Sequence, residues 1–256
     1  AEEGYKSQYT QAFFPLYPGL TSLLGYVLSY FLNYHLAFFI SGLLLSNIFF
    51  FLSLYFLYKL FRLDYNENIS LKSIGLLIMF PTAFYFSSIY TESMFLFLAV
   101  VSFLFIRKKN YLFSGIFIGL ASATKVIGFL LIPSLIVEFY FSYRSGYFRG
   151  DAIKFIKALI GLIIAPFGLL IYMSYLNLYF GNPFYFITSQ PAFGTQRSID
   201  NVILLPQVFF RYIKIFFSVP INSWSFFTAF LEFLFSISIL ITLIIFFRKM
   251  RASYFL

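Results

Sequence analysis

The sequence predicts an all-α protein, a polytopic transmembrane helical bundle, on three observations. Of its 256 residues 61% are hydrophobic and only 11% are charged, where a soluble domain carries about 25% charged residues. Apolar runs of about 20 residues, the length that crosses a hydrocarbon core, recur from end to end, and the polar breaks between them are too short to hold a soluble domain. The cations gather in four clusters, and two apolar runs separate each cluster from the next. Residues 1–256 are therefore expected to form a single transmembrane domain.

The elements are taken in chain order. The run 18–33 comes after "FFPLYP" and is short, so a re-entrant or surface helix is expected there. A full span over 36–58 ends at Lys59 and Arg62, and with Lys72 these form the first cationic cluster. The chain is then expected to cross over 73–90 and again over 91–106, arriving at Arg107, Lys108 and Lys109. Runs 110–124 and 126–143 make the next pair and lead to Arg144, Arg149, Lys154 and Lys157. A longer run, 155–180, comes next. Residues 201–219 carry Arg211 and Lys214 inside an apolar pattern, which reads as an amphipathic helix lying at the interface. The last span, 223–247, precedes Arg248, Lys249 and Arg251. The expectation is about seven spanning helices plus interfacial or re-entrant ones, with Phe and Tyr at their ends as interfacial anchors.

Basic residues collect on the cytoplasmic side of membrane helices, so all four clusters are assigned to one face. That accounts for the formal charge of +9 without nucleic acid as a partner; membrane lipids are the expected surroundings. The opposite face receives residues 1–12 as the remnant of an extracytoplasmic loop, the turns at "YTES" and "TKVIG", and the extracytoplasmic loop 181–200. Cysteine is absent, and the one histidine, His35, does not build a metal site by itself. No cofactor is predicted, and dependence on a divalent metal is left open. The sequon at Asn68 falls on the cytoplasmic face, where no glycan is expected. The opening "AEEGY" and the closing "ASYFL" read as interior sequence, so the chain is expected to be an internal fragment of a longer protein.

The chemistry concentrates in "FPTAFYFSSIYTESMF", residues 80–95, where an apolar run is interrupted by hydroxyl groups around a carboxylate. This stretch is expected to edge a substrate site where the bundle meets the extracytoplasmic surface. An ionisable group inside a membrane helix costs about 2.5–3.5 kcal/mol on insertion scales and tends to be kept for a partner or a task. Glu92 is accordingly the candidate catalytic residue; the plainer reading is a helix start, with Thr91 or Ser93 as cap and Glu92 favouring the helix dipole. Lys125 and Arg197 are cations on the same predicted face and candidates for binding an anionic phosphate, with Arg211 and Lys214 in reserve; for Lys125 the plainer reading is snorkelling. Tyr5, Tyr90, Thr91 and Gln190 are candidate substrate-binding residues. With 21 tyrosines in the chain, interfacial anchoring competes with sugar contact at each.

Five blocks in order carry a resemblance: "AEEGY" with "AFFPLYP", "FPTAFYFSSIYTESMF", "GIFIGLASATKVIG", "GNPFYFITSQ" and the terminal "RASYFL". Together they resemble the GPI mannosyltransferase II (PIG-V) family and its prokaryotic relatives, membrane glycosyltransferases of the GT-C type. The resemblance implies a mannosyltransferase that takes a sugar from a polyprenyl- or dolichyl-phosphate donor and passes it to a glycolipid or lipid-linked acceptor on the extracytoplasmic side. It places the protein in the plasma membrane of a prokaryote or the endoplasmic reticulum membrane of a eukaryote. Two departures bear on activity. The family's W-D pair, whose aspartate is the expected base, falls before Ala1, and its S-M-P-R motif is absent. The rival classes are a transporter or flippase, which calls for broken helices in repeated halves, and a non-catalytic membrane subunit on the same scaffold.

Overall fold

A computed structural model describes residues 10–80, 82–190 and 204–246. These residues are helical throughout, with no strand among them: α1 Leu16–Leu28, α2 Tyr34–Phe61, α3 Glu67–Met79, α4 Phe84–Ser87, α5 Glu92–Arg107, α6 Tyr111–Ser122, α7 Ile132–Arg144, α8 Ala152–Ile164, α9 Phe167–Phe180, α10 Tyr185–Thr188, α11 Leu205–Ser218 and α12 Trp224–Phe246. Short 3₁₀ helices precede α1 and α7, at Thr10–Ala12 and Val126–Leu131.

Four stretches are long and apolar enough to cross a membrane: Tyr34–Phe61, Val126–Arg144, Ala152–Phe180 and Trp224–Phe246, with mean hydropathies of 2.1, 1.8, 2.2 and 2.5. Large apolar side chains stand on their outer surfaces, among them Phe51 at 73% and Ile244 at 75% exposure. Water would not tolerate that many; lipid does. The chain is an all-helical membrane protein.

The remaining expected spans differ from their forecast. No continuous helix covers 73–90. Instead α3 starts earlier, at Glu67, because the Asn66 side chain accepts the Ile69 N–H at 2.9 Å and caps it. It stops at Met79 because Phe80 precedes a proline and takes an extended ψ of 135°. At 16 and 12 residues, α5 and α6 are about 24 and 18 Å long, short of the ~30 Å core. The run 155–180 is divided at Ala165–Pro166 into α8 and α9, since a proline offers no N–H and its ring crowds the preceding turn.

At the centre lies α6, flanked by α5 and α8. Glycines set the spacing. A Cβ on Gly115 would stand 1.9 Å from the Gly161 carbonyl oxygen, and one on Gly168 would stand 1.8 Å from that of Gly119, so backbone meets backbone, as small residues permit between membrane helices. Around this contact Ile106, Tyr111, Ile118, Leu135, Ala158 and Ala165 form a buried core.

One end of the bundle collects cations. Arg107 grips the Asp64 carboxylate with both terminal nitrogens, one at 2.6 Å, joining the turn after α2 to the end of α5. Lys109 Nζ lies 4.3 Å from the centre of the Tyr147 ring, and Lys154 Nζ lies 5.9 Å from it. These contacts bring the first three cationic clusters together, as the positive-inside reading expects. The fourth, at Arg248, lies outside the described residues.

Candidate functional site

The site is built where α1, α2, α5 and α6 meet, away from the cationic end. Three contacts mark α1 as antiparallel to α2: Tyr17 Oη lies 2.7 Å from Ser46 Oγ, Ser41 donates to the Thr21 carbonyl at 3.0 Å, and Gly25 backs onto Phe38. Because Tyr17 meets Ser46, α1 begins about halfway along α2 and runs to the latter's start. It is a partial span rather than a surface helix. Ser46 also reaches the Tyr90 carbonyl at 3.4 Å, and Asn47 reaches that of Ser87 at 3.3 Å. The polar run after Phe80 therefore lies beside the middle of α2, not level with its far end. It stops there because α3 and α5, which flank it, are short.

Glu92 opens α5. Thr91 takes the capping position, yet its side chain makes no capping hydrogen bond. Glu92 stands in the first turn, where the plainer reading puts it, and its Oε1 accepts from Lys125 Nζ at 2.6 Å. Each of the two side chains is about one-third exposed, at 33% and 32%. The other oxygen, Oε2, is buried and makes no hydrogen bond in the protein. Next to it Ser93, fully buried, has an Oγ in the same condition.

Lys125 reaches Glu92 because of the turn that holds it. The chain leaves α6, its Lys125 N–H returns to the Ala121 carbonyl at 3.0 Å, and residue 125 turns extended at φ −149°, ψ 142°. The 3₁₀ helix then folds back on the end of α6, so closely that a Cβ on Gly128 would lie 2.4 Å from the Ala121 carbonyl carbon. The spacing of "TKVIG" has this physical reason: the glycine admits the return, and the return aims the lysine at α5.

The first block arrives from the other side. Leu16 N–H donates to the Ala123 carbonyl at 3.1 Å, which sets "AFFPLYP" against "ATKVIG". Tyr17 is buried, and its hydroxyl also donates to the Gly42 carbonyl at 3.0 Å. The stretch before α1 is held by α9 and α10. Tyr172 donates to the carbonyls of Gln11 at 2.6 Å and Phe13 at 3.2 Å, while Phe14 packs 4.9 Å from Tyr172 and 5.3 Å from Phe186.

Of the residues singled out in the sequence, Glu92 and Lys125 are joined. Tyr90 and Thr91 immediately precede them; the Tyr90 ring is 51% exposed and lies edge-on to Tyr85. Gln190 donates its amide to the Ala12 and Phe186 carbonyls at 3.5 and 3.4 Å, which ties it to the stretch before α1. Arg211 and Lys214 lie on α11, which packs on α12 and is fastened there by Tyr212 donating to Glu232 Oε2 at 2.8 Å. Tyr5 and Arg197 lie outside the described residues. Sequence reasoning passed over Ser46, a buried hydroxyl in a long apolar helix, and Tyr172, one aromatic among many.

Between α6 and α9 runs a groove of about 570 Å³ lined by Pro15, Gly119, Ala123, Phe167, Gly168 and Tyr172 among others. Glycine and alanine on its walls leave the space, and the lining is almost wholly apolar. Ala123 on its wall stands two residues before Lys125 in the chain, while Glu92 and Lys125 themselves do not line it. No cluster of three or more His, Asp and Glu side chains is placed to hold a metal among the described residues. Compared with known proteins, the chain matches no family model, no curated protein and no solved structure.

Proposed function

We propose that this protein is the membrane core of a glycosyltransferase of the GT-C type, a mannosyltransferase that takes its sugar from a polyprenyl- or dolichyl-phosphate donor and delivers it to a glycolipid or lipid-linked acceptor. The observation that carries the reading is the Glu92–Lys125 pair, an ammonium and a carboxylate held together in an apolar bundle. A lipid-phosphate sugar needs a cation for the phosphate it leaves behind and an apolar surface for its tail; Lys125 offers the first, and the groove that Ala123 lines, two residues earlier in the chain, offers the second. The five sequence blocks add support: three of them, 12–18, 80–95 and 115–128, converge through Leu16–Ala123, Tyr17–Ser46–Tyr90 and Glu92–Lys125. The membrane would be the plasma membrane of a prokaryote or the endoplasmic reticulum of a eukaryote.

In this reading the acceptor hydroxyl loses its proton to a carboxylate as it attacks the anomeric carbon, and the phosphate leaves against Lys125. Glu92 shares its charge with Lys125, which suits it to aiming that cation more than to accepting the proton. We assign it as a positioning residue; the base is the aspartate of the W-D pair that the resemblance implies. The test is steady-state transfer from a polyprenyl-phosphate sugar by the full-length enzyme. Lys125→Gln should raise the donor KM by about 10- to 100-fold, the worth of one hydrogen bond to a charge. Glu92→Gln should raise KM with a smaller change in kcat. A fall in kcat of about 100-fold or more, with KM unmoved, would instead make Glu92 the base. Unchanged kinetics in Lys125→Gln would end the proposal.

One observation favours a second reading. The break between α8 and α9 falls midway along a span, where transporters and flippases keep discontinuous helices. The carbonyl oxygens just before Pro166, from Ile164 and Ala165, face Gly119 at 3.3 and 3.7 Å from where its Cβ would stand. They are packed against α6, which favours transfer over transport. Movement of the donor headgroup across protein-containing vesicles without turnover would reverse that preference.

A further inference from the structure

At the cationic end, α5 closes with a turn that glycine normally occupies. Lys109 N–H returns to the Ile106 carbonyl and Asn110 N–H to that of Phe105, both at 2.9 Å, the paired bonds of a Schellman motif. That motif needs its linking residue in the left-handed region, and Lys109 has φ of 57°. Elsewhere among the described residues positive φ falls on Gly146, Gly150 and Gly181. A lysine bears a backbone cost there that glycine would not, so the side chain has a use. Its ammonium stands over Tyr147 at 4.3 Å, and Lys154 approaches the same ring at 5.9 Å. Arg149 and Lys157 are exposed close by in the chain. Asp151 pairs with Lys154 at 2.9 Å while capping α8, and Asp64 at the same end pairs with Arg107; the cations of the three clusters outnumber these acids and leave the patch positive.

We propose that Lys109, Lys154 and Tyr147 form a binding site for the phosphodiester headgroup of an anionic membrane lipid. Lipid is favoured over free phosphate by what surrounds the cations: Ile153 and Ile156, 66% and 53% exposed, alternate with Lys154 and Lys157 along α8. The ammonium groups would meet the headgroup while the isoleucines meet its acyl chains. The site does not depend on the reaction proposed above and lies at the other end of α5 from Glu92.

The experiment compares thermal unfolding of the full chain in phosphatidylcholine nanodiscs with and without phosphatidylglycerol. The unaltered protein should be stabilised as phosphatidylglycerol is added. Lys109→Gly should unfold at a higher temperature in phosphatidylcholine alone, because the backbone cost is relieved, yet bind phosphatidylglycerol about fivefold more weakly, the share of one surface cation. Lys154→Gln should show the same weakening, and Lys59→Gln, whose ammonium lies over Tyr55 instead, should not. Full retention of the phosphatidylglycerol effect in Lys109→Gly would overturn the proposal. So would equal stabilisation by inorganic phosphate in phosphatidylcholine discs, which would make the ligand a free anion.

Discussion

At Gly128 one methyl group decides where Lys125 points. Added there, a Cβ would lie 2.4 and 2.5 Å from the backbone of Ala121 and Ser122, which cannot move aside as a side chain could. Gly128→Ala should destabilise the fold by about 1–3 kcal/mol, the range for overpacking a tight interior, and separate Lys125 from Glu92. Gly75→Ala, with nothing within 4 Å of the new Cβ, should instead gain up to about 1 kcal/mol of helix propensity. Thermal unfolding of the two variants checks this; equal Tm values would show that the close approach at Gly128 does not exist. Glu92 and Lys125 were each legible in the sequence, because a carboxylate and an ammonium stand out in an apolar chain, but that they meet was not. Nor were the hydroxyls that fasten the surrounding blocks. Ser46 and Tyr172 differ from their neighbours by one hydroxyl, and only the crossing of α1 with α2, or of α9 with the N-terminal stretch, gives those hydroxyls something to meet.

Among the elements, apolar runs revealed that helices exist, while their ends were decided by caps and prolines that hydropathy does not weigh. The forecast span 73–90 ran through Pro81, and 155–180 ran through Pro166; both helices stop just before the proline, for steric reasons that act on single residues. The start of α3 moved for the complementary reason, since Asn66 offers a side-chain acceptor that the hydropathy pattern ignores. The start of α8 is set the same way and yields a pH prediction. The Lys154 N–H, and then the Lys154 side chain, hydrogen-bond the Asp151 carboxylate and hold it below the usual aspartate range. A lowered folded-state value means that the stabilisation is complete above the ordinary aspartate value and is lost as pH falls through the lowered one. Amide protection at 153–155, the exchange rate taken relative to that of an unstructured amide at the same pH, should therefore fall on acidification, and Asp151→Ala should show the low protection at every pH. Protection that does not respond to pH in the unaltered protein would mean that the first turn of α8 is held by packing instead.

Taken whole, the molecule is a bundle of unequal lengths. Helix α2 has 28 residues and the α8–α9 stretch 29, while α5 and α6 have 16 and 12. All approach the cationic end, as Asp64–Arg107 and the contacts of Tyr147 require, so the short helices must stop partway toward the other. A recess is expected from this at the level of Ser46, about 20 Å from the cationic end of α2 at 1.5 Å per residue. A carboxylate and an ammonium, each one-third exposed, are tolerable at that depth only if water or a polar ligand enters from the far side. Access should thus be one-sided, and a chain with no cysteine suits the measurement. In sealed vesicles of uniform orientation, a membrane-impermeant maleimide should label Tyr90→Cys and Thr91→Cys from one face only. It should label Lys72→Cys and Lys108→Cys from the opposite face. Labelling of all four from the same side would remove the asymmetry on which both the recess and the sugar-transfer proposal stand. Labelling of Lys108→Cys alone would mean that the recess is closed by lipid, and a charged pair would then be buried without a route to its substrate.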